Sequence, residues 1–380
     1  MYQLFTREDT KAIKGIAVIL MIFHHLACFP ERYAQGFDGF KSLWKPFVED
    51  GYLSNMGFNS RLCVAIFFFV GGYGLYKRIS VDKFKLTKAI KSLYISYWKI
   101  FLIFIPIAFI FFNKSDESLP ELCRRYHIED KNNLISTLLS NFLGLSDSLN
   151  SEWWFFSAYL CLLPMGVLFF MATKKSKSFT FDMFIVLVID MFVNNIFPDF
   201  SKSEVLAGLG GNYYFTHFIR LPSTSPFFAG IVMAKHNKLE EWKSKLQKFR
   251  FSGLFGLIGC IGVFYVRGYI LGLNIEVIHT IAFIIFASLF FDSLKYVKKA
   301  FCFVGKYSTD MWLVHTFFCY YFYEATKIVY ATSSVWVDLL ILIALSLISS
   351  ILVELIWKGL GLLKPKLQKL FIRPEIKEAE

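Results

Sequence analysis

The chain has 380 residues, of which 56% are hydrophobic and 19% aromatic, with 45 phenylalanines. This share of apolar residues is too high for an ordinary soluble domain. Several segments run for 18 residues or more with few charges, which is enough to cross a hydrocarbon core of about 30 Å. The formal net charge of +12 is spread over the connections between these segments, so it does not indicate a nucleic-acid partner. We therefore expect an integral membrane protein in contact with membrane lipids, in the cytoplasmic membrane of a bacterium.

The predicted fold class is all-α, a polytopic transmembrane bundle of about ten helices. Alternate connections are rich in lysine and arginine, and the positive-inside rule then places both termini in the cytoplasm. The first segment lacks a small-residue cleavage site, so we interpret it as a retained helix and not as a signal peptide. The predicted spans are 12–29, 60–76, 92–112, 152–172, 179–197, 214–234, 251–268, 275–294, 301–323 and 335–357.

We expect a single integral membrane domain over residues 1–380, in which 365–380 form a short cytoplasmic tail. The stretch 235–250 is typical of a helix that lies on the cytoplasmic surface of the membrane. The seven cysteines include no CxxC pair, and the sequence predicts neither a disulfide framework nor a metal site.

The first span carries the most informative polar residues. His24 and His25 are adjacent within the apolar stretch, and Lys14 lies at its leading edge. Ionisable residues inside a membrane segment are costly, and they usually have a function or a partner. Lys14 and His25 are eleven positions apart, which corresponds to roughly 16 Å along a helix. The sequence thus places a cation at one membrane face and an imidazole near mid-depth on the same helix.

Other polar residues are concentrated in the outer half of the predicted bundle. His315 reaches a depth similar to that of His25 on another outward-running helix. Near the outer ends of the remaining helices lie Arg61, Glu152, His217, Arg220, Arg267, Glu276 and His279. A structural interpretation remains open for several of them, because an intramembrane histidine can donate to a backbone carbonyl and an arginine can extend to the headgroups. The roles of His24, His217, Arg220, Arg267 and His279 are left open for this reason.

An ordered set of short motifs resembles the acyltransferase family 3 of membrane O-acyltransferases. The first is the run from Lys14 to His25, a basic residue followed by ten positions and a histidine. The later ones, in chain order, are the segments 66–75 (IFFFVGGYGL), 88–91 (KAIK), 153–160 (WWFFSAYL), 226–236 (PFFAGIVMAKH) and 304–315 (VGKYSTDMWLVH). Lysine replaces the commoner arginine at 14, 88 and 91, so any contact with phosphate there would be that of a point charge and not a bidentate one.

The resemblance implies transfer of an acyl group, with acetyl expected, from a cytoplasmic acyl-CoA to a hydroxyl of a cell-surface or lipid-linked glycan. It implies no permanently bound cofactor, since acyl-CoA is the donor substrate. Lys14, Lys88 and Lys91 are the candidate donor-binding residues.

His25 is the expected general base or transient acyl carrier. Glu152 and His315 are candidates for orienting His25 or the acceptor, and Arg61 for binding the acceptor or stabilising an oxyanion. Direct transfer and an acyl-histidine intermediate both remain open.

Two other functions are compatible with the same residues. Intramembrane histidine, arginine and glutamate side chains also occur in proton-coupled secondary transporters. A catalytically inactive scaffold for polysaccharide assembly is the third possibility. The absence of a repeat in the sequence and the ordered resemblance favour the enzyme.

Overall fold

The computed structural model describes residues 5–33, 36–41, 49–110, 131–192, 224–270 and 275–371. His217 and Arg220 lie outside these ranges. The described residues form helices and contain no β-strand apart from one isolated bridge between Lys41 and Ser334. The all-α prediction is therefore confirmed for this part of the chain.

Fifteen α-helices are found in the described residues. They are α1 (Arg7–Ala27), α2 (Tyr52–Asn59), α3 (Leu62–Ile79), α4 (Leu86–Ile110), α5 (Lys131–Phe142), α6 (Trp154–Thr173), α7 (Phe179–Met191), α8 (Ser225–Lys235), α9 (Lys238–Gln247), α10 (Ser252–Tyr265), α11 (Glu276–Ser293), α12 (Lys295–Lys306), α13 (Ser308–Thr316), α14 (Tyr323–Val329) and α15 (Val335–Phe371). Short 3-10 helices lie at Pro30–Arg32 and Ser151–Trp153, and π-helices at Val266–Ile270 and Phe317–Tyr321.

Six helical segments of the described residues are long and apolar enough to cross a membrane. They are Arg7–Ala27, Tyr52–Ile79, Leu86–Ile110, Ser151–Thr173, Glu276–Ser293 and Val335–Gly361. Each overlaps a predicted span, so the prediction of a polytopic membrane protein is confirmed. The count of about ten helices and the orientation of the termini stay predictions.

Two of the other predicted spans, 179–197 and 214–234, are described only in part, and their described residues form the helices Phe179–Met191 and Ser225–Lys235. The span 251–268 is α-helical over Ser252–Tyr265 and continues as the π-helix Val266–Ile270. The predicted span 301–323 is divided at Tyr307 into α12, α13 and a π-helix. At that break the Ser308 hydroxyl donates to the carbonyl of Gly305 (3.0 Å), a local hydrogen bond that competes with a continuous helix.

Helix α1 lies at the centre of the bundle. It begins with a capping box, in which the Thr6 hydroxyl accepts from the backbone N–H of Asp9 and the Asp9 carboxylate accepts from the N–H of Thr6. Its neighbour α12 packs directly on it. A Cβ atom on Gly15 would overlap the backbone carbonyl of Phe301, so this close approach requires glycine.

Two further glycines allow α3 and α8 to pack closely. A Cβ on Gly72 would overlap the carbonyl of Phe227, and one on Gly230 would overlap the carbonyl of Phe69. The glycine-mediated contacts fix α1 against α12 and α3 against α8. Between α1 and α3 on one side and α4, α6 and α13 on the other, a cavity remains.

Candidate active site

The cavity has a volume of about 740 Å³ and follows α1 over most of its length. Lys14 and Arg78 line one end, here called the Lys14 end, and His24 and His25 line the other, here called the histidine end. Roughly 16 Å of helix separates Lys14 from His25. Helix α3 runs antiparallel to α1, so that Arg61 at its start and Arg78 at its end lie at opposite ends of the cavity.

The section between the two ends is largely apolar and aromatic. Its walls include Val64, Phe67, Phe155 and Trp312. Gly71 also faces this section, where a Cβ would come within 2.6 Å of the Tyr159 hydroxyl. Such a lining accommodates a slender, mostly apolar group and supplies few polar partners along the way.

His25 and His315 are brought together at the histidine end, as the sequence predicts. Their ring centroids are 4.9 Å apart. His315 is fully buried behind His25, and its Nδ1 lies 2.7 Å from the carbonyl oxygen of Trp312. Because a carbonyl only accepts, Nδ1 of His315 carries the hydrogen, and Nε2 of the neutral ring has a free lone pair.

The buried Nε2 of His315 and the buried Nδ1 of His25 have no hydrogen-bond partner among the described residues. His25 itself lines the cavity. Its accessible ring nitrogen is therefore Nε2. A hydrogen bond from Nδ1–H of His25 to Nε2 of His315 would satisfy both buried nitrogens, and it would leave Nε2 of His25 unprotonated and open to the cavity.

His24 lines the same end, and its ring is 4.9 Å from that of His25. Its Nδ1 lies 2.8 Å from the carbonyl oxygen of Gly57, on α2. This contact fixes the hydrogen on Nδ1, by the same argument as for His315. His24, His25 and His315 thus form a row, which we call the histidine cluster.

Glu152 reaches the histidine end but bonds to an arginine and not to a histidine. The guanidinium of Arg32 donates to the Glu152 carboxylate at 2.5 Å. The same guanidinium lies 3.7 Å from the ring centroid of Tyr320, whose hydroxyl donates to the backbone carbonyl of His25. Burial disfavours the charged guanidinium, but the Glu152 carboxylate outweighs it and raises the pKa of Arg32. The guanidinium of Arg32 therefore remains charged.

The turn that carries Glu152 is fixed to the helix that carries His315. Asn150 and Thr316 exchange side-chain hydrogen bonds of 2.8 and 3.2 Å. The indole of Trp153 donates to the carbonyl of Leu313 at 3.1 Å. These contacts hold Glu152 and His315 close together, although they are 163 positions apart in sequence.

Arg61 lines the histidine end without a carboxylate partner among the described residues. Its guanidinium lies over the ring of Phe58 (4.8 Å), and its Nε is buried without a hydrogen bond. Nearby Arg267 differs, because it donates to Glu276 at 2.5 Å and to the carbonyl of Asn59 at 3.1 Å. The charge of Arg267 is thus compensated, whereas that of Arg61 remains available to a ligand.

The Lys14 end combines the predicted Lys14 with an arginine that the sequence analysis did not select. Lys14 and Arg78 both line the cavity. Lys88 and Lys91 are exposed on the first turns of α4 and do not line it, although their neighbours Ala89 and Ser92 do. The Lys14 end is therefore formed by Lys14 and Arg78, and Lys88 and Lys91 lie outside the cavity.

Two site residues, Arg32 and Arg78, were missed from the sequence. Arg32 follows His25 by seven positions, beyond the end of α1 and in the short helix Pro30–Arg32, and its place shortly after the two histidines is the signal that the sequence offers. Arg78 falls between the predicted spans 60–76 and 92–112 and was not predicted as a site residue. His279 lies on α11 and does not line the cavity. The described residues contain no group of three or more His, Cys, Asp or Glu side chains placed to hold a metal ion.

Comparison with known proteins gives one relationship. A protein-family model described as an acyltransferase domain, that of acyltransferase family 3, matches residues 9–355. The matched region contains every predicted site residue, from Lys14 to His315. No curated protein and no solved structure matches the chain.

Proposed function

The chain belongs to acyltransferase family 3 and is a membrane acyltransferase, and from this premise we propose its substrates. The donor is a cytoplasmic acyl-CoA, with acetyl as the acyl group, and the acceptor is a hydroxyl of a cell-surface or lipid-linked glycan. The observation that carries the proposal is the cavity that joins a cationic end to a cluster of histidines. We place the enzyme in the cytoplasmic membrane of a bacterium.

The Lys14 end takes the donor. The positive-inside rule assigns this end to the cytoplasm, where acyl-CoA is available. Lys14 and Arg78 bind its phosphates, and the guanidinium of Arg78 supplies the bidentate contact that a lysine cannot. Lys88 and Lys91, exposed beside the Lys14 end, attract the anionic donor by long-range electrostatics.

The pantetheine arm lies in the apolar section and carries the thioester to the histidine end. This arrangement separates the two substrates, since the donor remains anchored in the cytoplasm while the acceptor arrives from the other side. The largely apolar walls, among them Phe67, Phe155 and Trp312, exclude water, and exclusion of water limits hydrolysis of the thioester.

His25 acts on the acyl group through Nε2. With Nδ1–H held by His315, the Nε2 lone pair either removes the proton of the acceptor hydroxyl or attacks the thioester carbon. Arg61, which has no carboxylate partner among the described residues, binds the acceptor or the developing oxyanion. Glu152 orients the site through Arg32 and does not contact the imidazole of His25.

Transfer of radiolabel from acetyl-CoA into a glycan fraction tests the proposal, with membranes that contain the wild-type chain or His25→Ala at equal abundance. We expect His25→Ala to lower transfer by about 10²–10⁴-fold, the range for loss of a general base. His236→Gln is the matched control, because its amide can still donate to Asp182 as Nε2 of His236 does at 2.8 Å. It should transfer label at the wild-type rate.

A proton-coupled transporter would leave the thioester intact in every sample. Acetyl-CoA and a panel of other acyl-CoA donors should therefore be tested with membranes that contain the folded wild-type chain. If every thioester stays intact, the proposed enzyme is contradicted. If the chain consumes another acyl-CoA of that panel and not acetyl-CoA, only the identity of the acyl group is corrected.

A further inference from the structure

We propose that His24 is a second catalytic residue, the general base that deprotonates the acceptor hydroxyl, while His25 carries the acyl group. This inference rests on the proposed function and deepens it. It assigns separate tasks to two neighbouring histidines of one helix, and it selects the two-step route over direct transfer.

The first observation is the tautomer of His24. Its Nδ1–H donates to the carbonyl of Gly57 at 2.8 Å, so the neutral ring keeps its lone pair on Nε2. The residue is 7% exposed, and the surface it retains lies on the cavity. A backbone carbonyl that fixes one nitrogen while the other faces a cavity is the arrangement that a general base requires.

The second observation is that each imidazole has its own partner. His24 is oriented by α2, through Gly57, whereas His25 has His315 of α13 beside its buried Nδ1. Direct transfer needs only one base. Two imidazoles that are oriented independently, 4.9 Å apart and open to the same cavity, match a reaction that needs both a nucleophile and a base.

In the first step, the Nε2 lone pair of His25 attacks the thioester carbon and the carbon–sulfur bond breaks. The CoA thiolate leaves with the electron pair, and Nδ1 of the acyl-imidazolium gives its proton to Nε2 of His315. The products are a neutral acyl-imidazole and a protonated His315.

In the second step, Nε2 of His24 removes the proton of the acceptor hydroxyl as its oxygen attacks the acyl carbon. The carbon–nitrogen bond breaks, its electron pair returns to Nε2 of His25, and His315 returns the proton to Nδ1. The net products of the two steps are the acyl ester, the CoA thiolate and one proton, which His24 releases to water.

Two half-reactions test the division of labour in the purified full chain. Without an acceptor, an acyl-enzyme exchanges labelled CoA into unlabelled acetyl-CoA, whereas transfer to the glycan needs both steps. The decisive variant is His24→Asn, because the asparagine amide keeps a donor for the Gly57 carbonyl and provides no counterpart of the Nε2 lone pair. We expect exchange to continue in this variant and transfer to fall by about 10²-fold or more.

His25→Ala should lose both exchange and transfer, and His236→Gln should lose neither. Thermal melting of each variant in detergent reports whether the fold is intact. If folded His24→Asn transfers at the wild-type rate, His24 only ties α1 to α2 and the inference is wrong. It is equally wrong if wild-type protein transfers label but shows no exchange, because no acyl-enzyme then forms. Wild-type protein with neither activity would instead overturn the proposed function.

Discussion

At the scale of single residues, the histidine end depends on contacts between positions far apart in sequence. Arg32 bonds to Glu152, which is 120 positions away in sequence, and its guanidinium lies over the ring of Tyr320. Tyr320 in turn donates to the backbone of His25. The ion pair therefore acts on the end of α1 that carries His25, without touching the imidazole. We interpret Arg32 as a positioning residue and Glu152 as its counterion.

A double-mutant cycle tests whether Arg32 and Glu152 act as a unit. Arg32→Gln or Glu152→Gln alone leaves one charge unpaired beside the histidine cluster, and we expect each to lower transfer by about tenfold or more. The double variant should be no worse than either single one, because it removes both charges together. Steady-state transfer rates give the coupling.

The exposed pair Lys327–Glu324 (3.3 Å) provides the matched cycle, in which none of the three variants should change transfer. If the losses of transfer in Arg32→Gln and Glu152→Gln simply add in the double variant, the two residues act independently.

At the scale of helices, the contact between α1 and α12 sets the position of Lys14. Gly15 follows Lys14 directly and packs on the backbone of Phe301, and Gly305 packs on the backbone of Lys11 one turn earlier. Both contacts are with backbone atoms, which cannot rotate away as a side chain can. An added methyl group would therefore move one helix against the other.

Gly15→Ala should separate α1 from α12, with a loss of about 1–3 kcal/mol in stability and a shift of the adjacent Lys14. We expect a lower melting temperature in detergent together with a higher KM for acetyl-CoA. Gly74→Ala is the control, because nothing lies within 4 Å of a Cβ at Gly74 in α3. Its melting temperature should stay level or rise, since alanine is the better helix former. Equal effects of the two variants would contradict a specific role for the α1–α12 contact.

At the scale of the whole molecule, one cavity joins two chemically different ends. Helices α1 and α3 run antiparallel along it, and each contributes a cation at one end and a polar site residue at the other. In the proposed reaction, this arrangement allows the anionic part of an acyl-CoA donor to be bound far from the reacting carbon. Binding and chemistry should therefore be separable by mutation and by the choice of donor.

Lys14→Gln and Arg78→Gln should each raise the KM for acetyl-CoA by about 10–100-fold, the equivalent of one charge-assisted phosphate contact of roughly 1.5–3 kcal/mol. The maximal rate should change little, because the histidine cluster is untouched. With acetyl-pantetheine, a thioester without phosphates, the variants and the wild type should have the same KM.

Lys77→Gln is the control for general loss of positive charge, since Lys77 bonds to Glu240 (3.3 Å) and does not line the cavity. A KM defect of Lys14→Gln or Arg78→Gln that persists with acetyl-pantetheine would show that these residues do not bind the phosphates.

The local part of this protein follows from the sequence. Long apolar runs identified the six described helical segments that are long and apolar enough to cross a membrane, because the bilayer fixes the length and composition of such segments independently of packing. Depth along a helix also follows from residue counting. Lys14 and His25 accordingly lie at opposite ends of one cavity, and His315 lies at the level of His25.

The partners were decided only by the tertiary structure. Counting residues gives depth but not the face that a side chain presents, so the exclusion of Lys88 and Lys91 from the cavity was not foreseeable. Nor were the pairing of Arg32 with Glu152 and the hydrogen bond from His24 to Gly57, since each joins separate elements. The sequence by itself determined six helical segments that are long and apolar enough to cross a membrane, and the positions of polar residues along them. Helix packing decided which of these residues contact one another. Residues that are distant in sequence reach one site because helices pack closely against each other, as α1 and α12 do at Gly15.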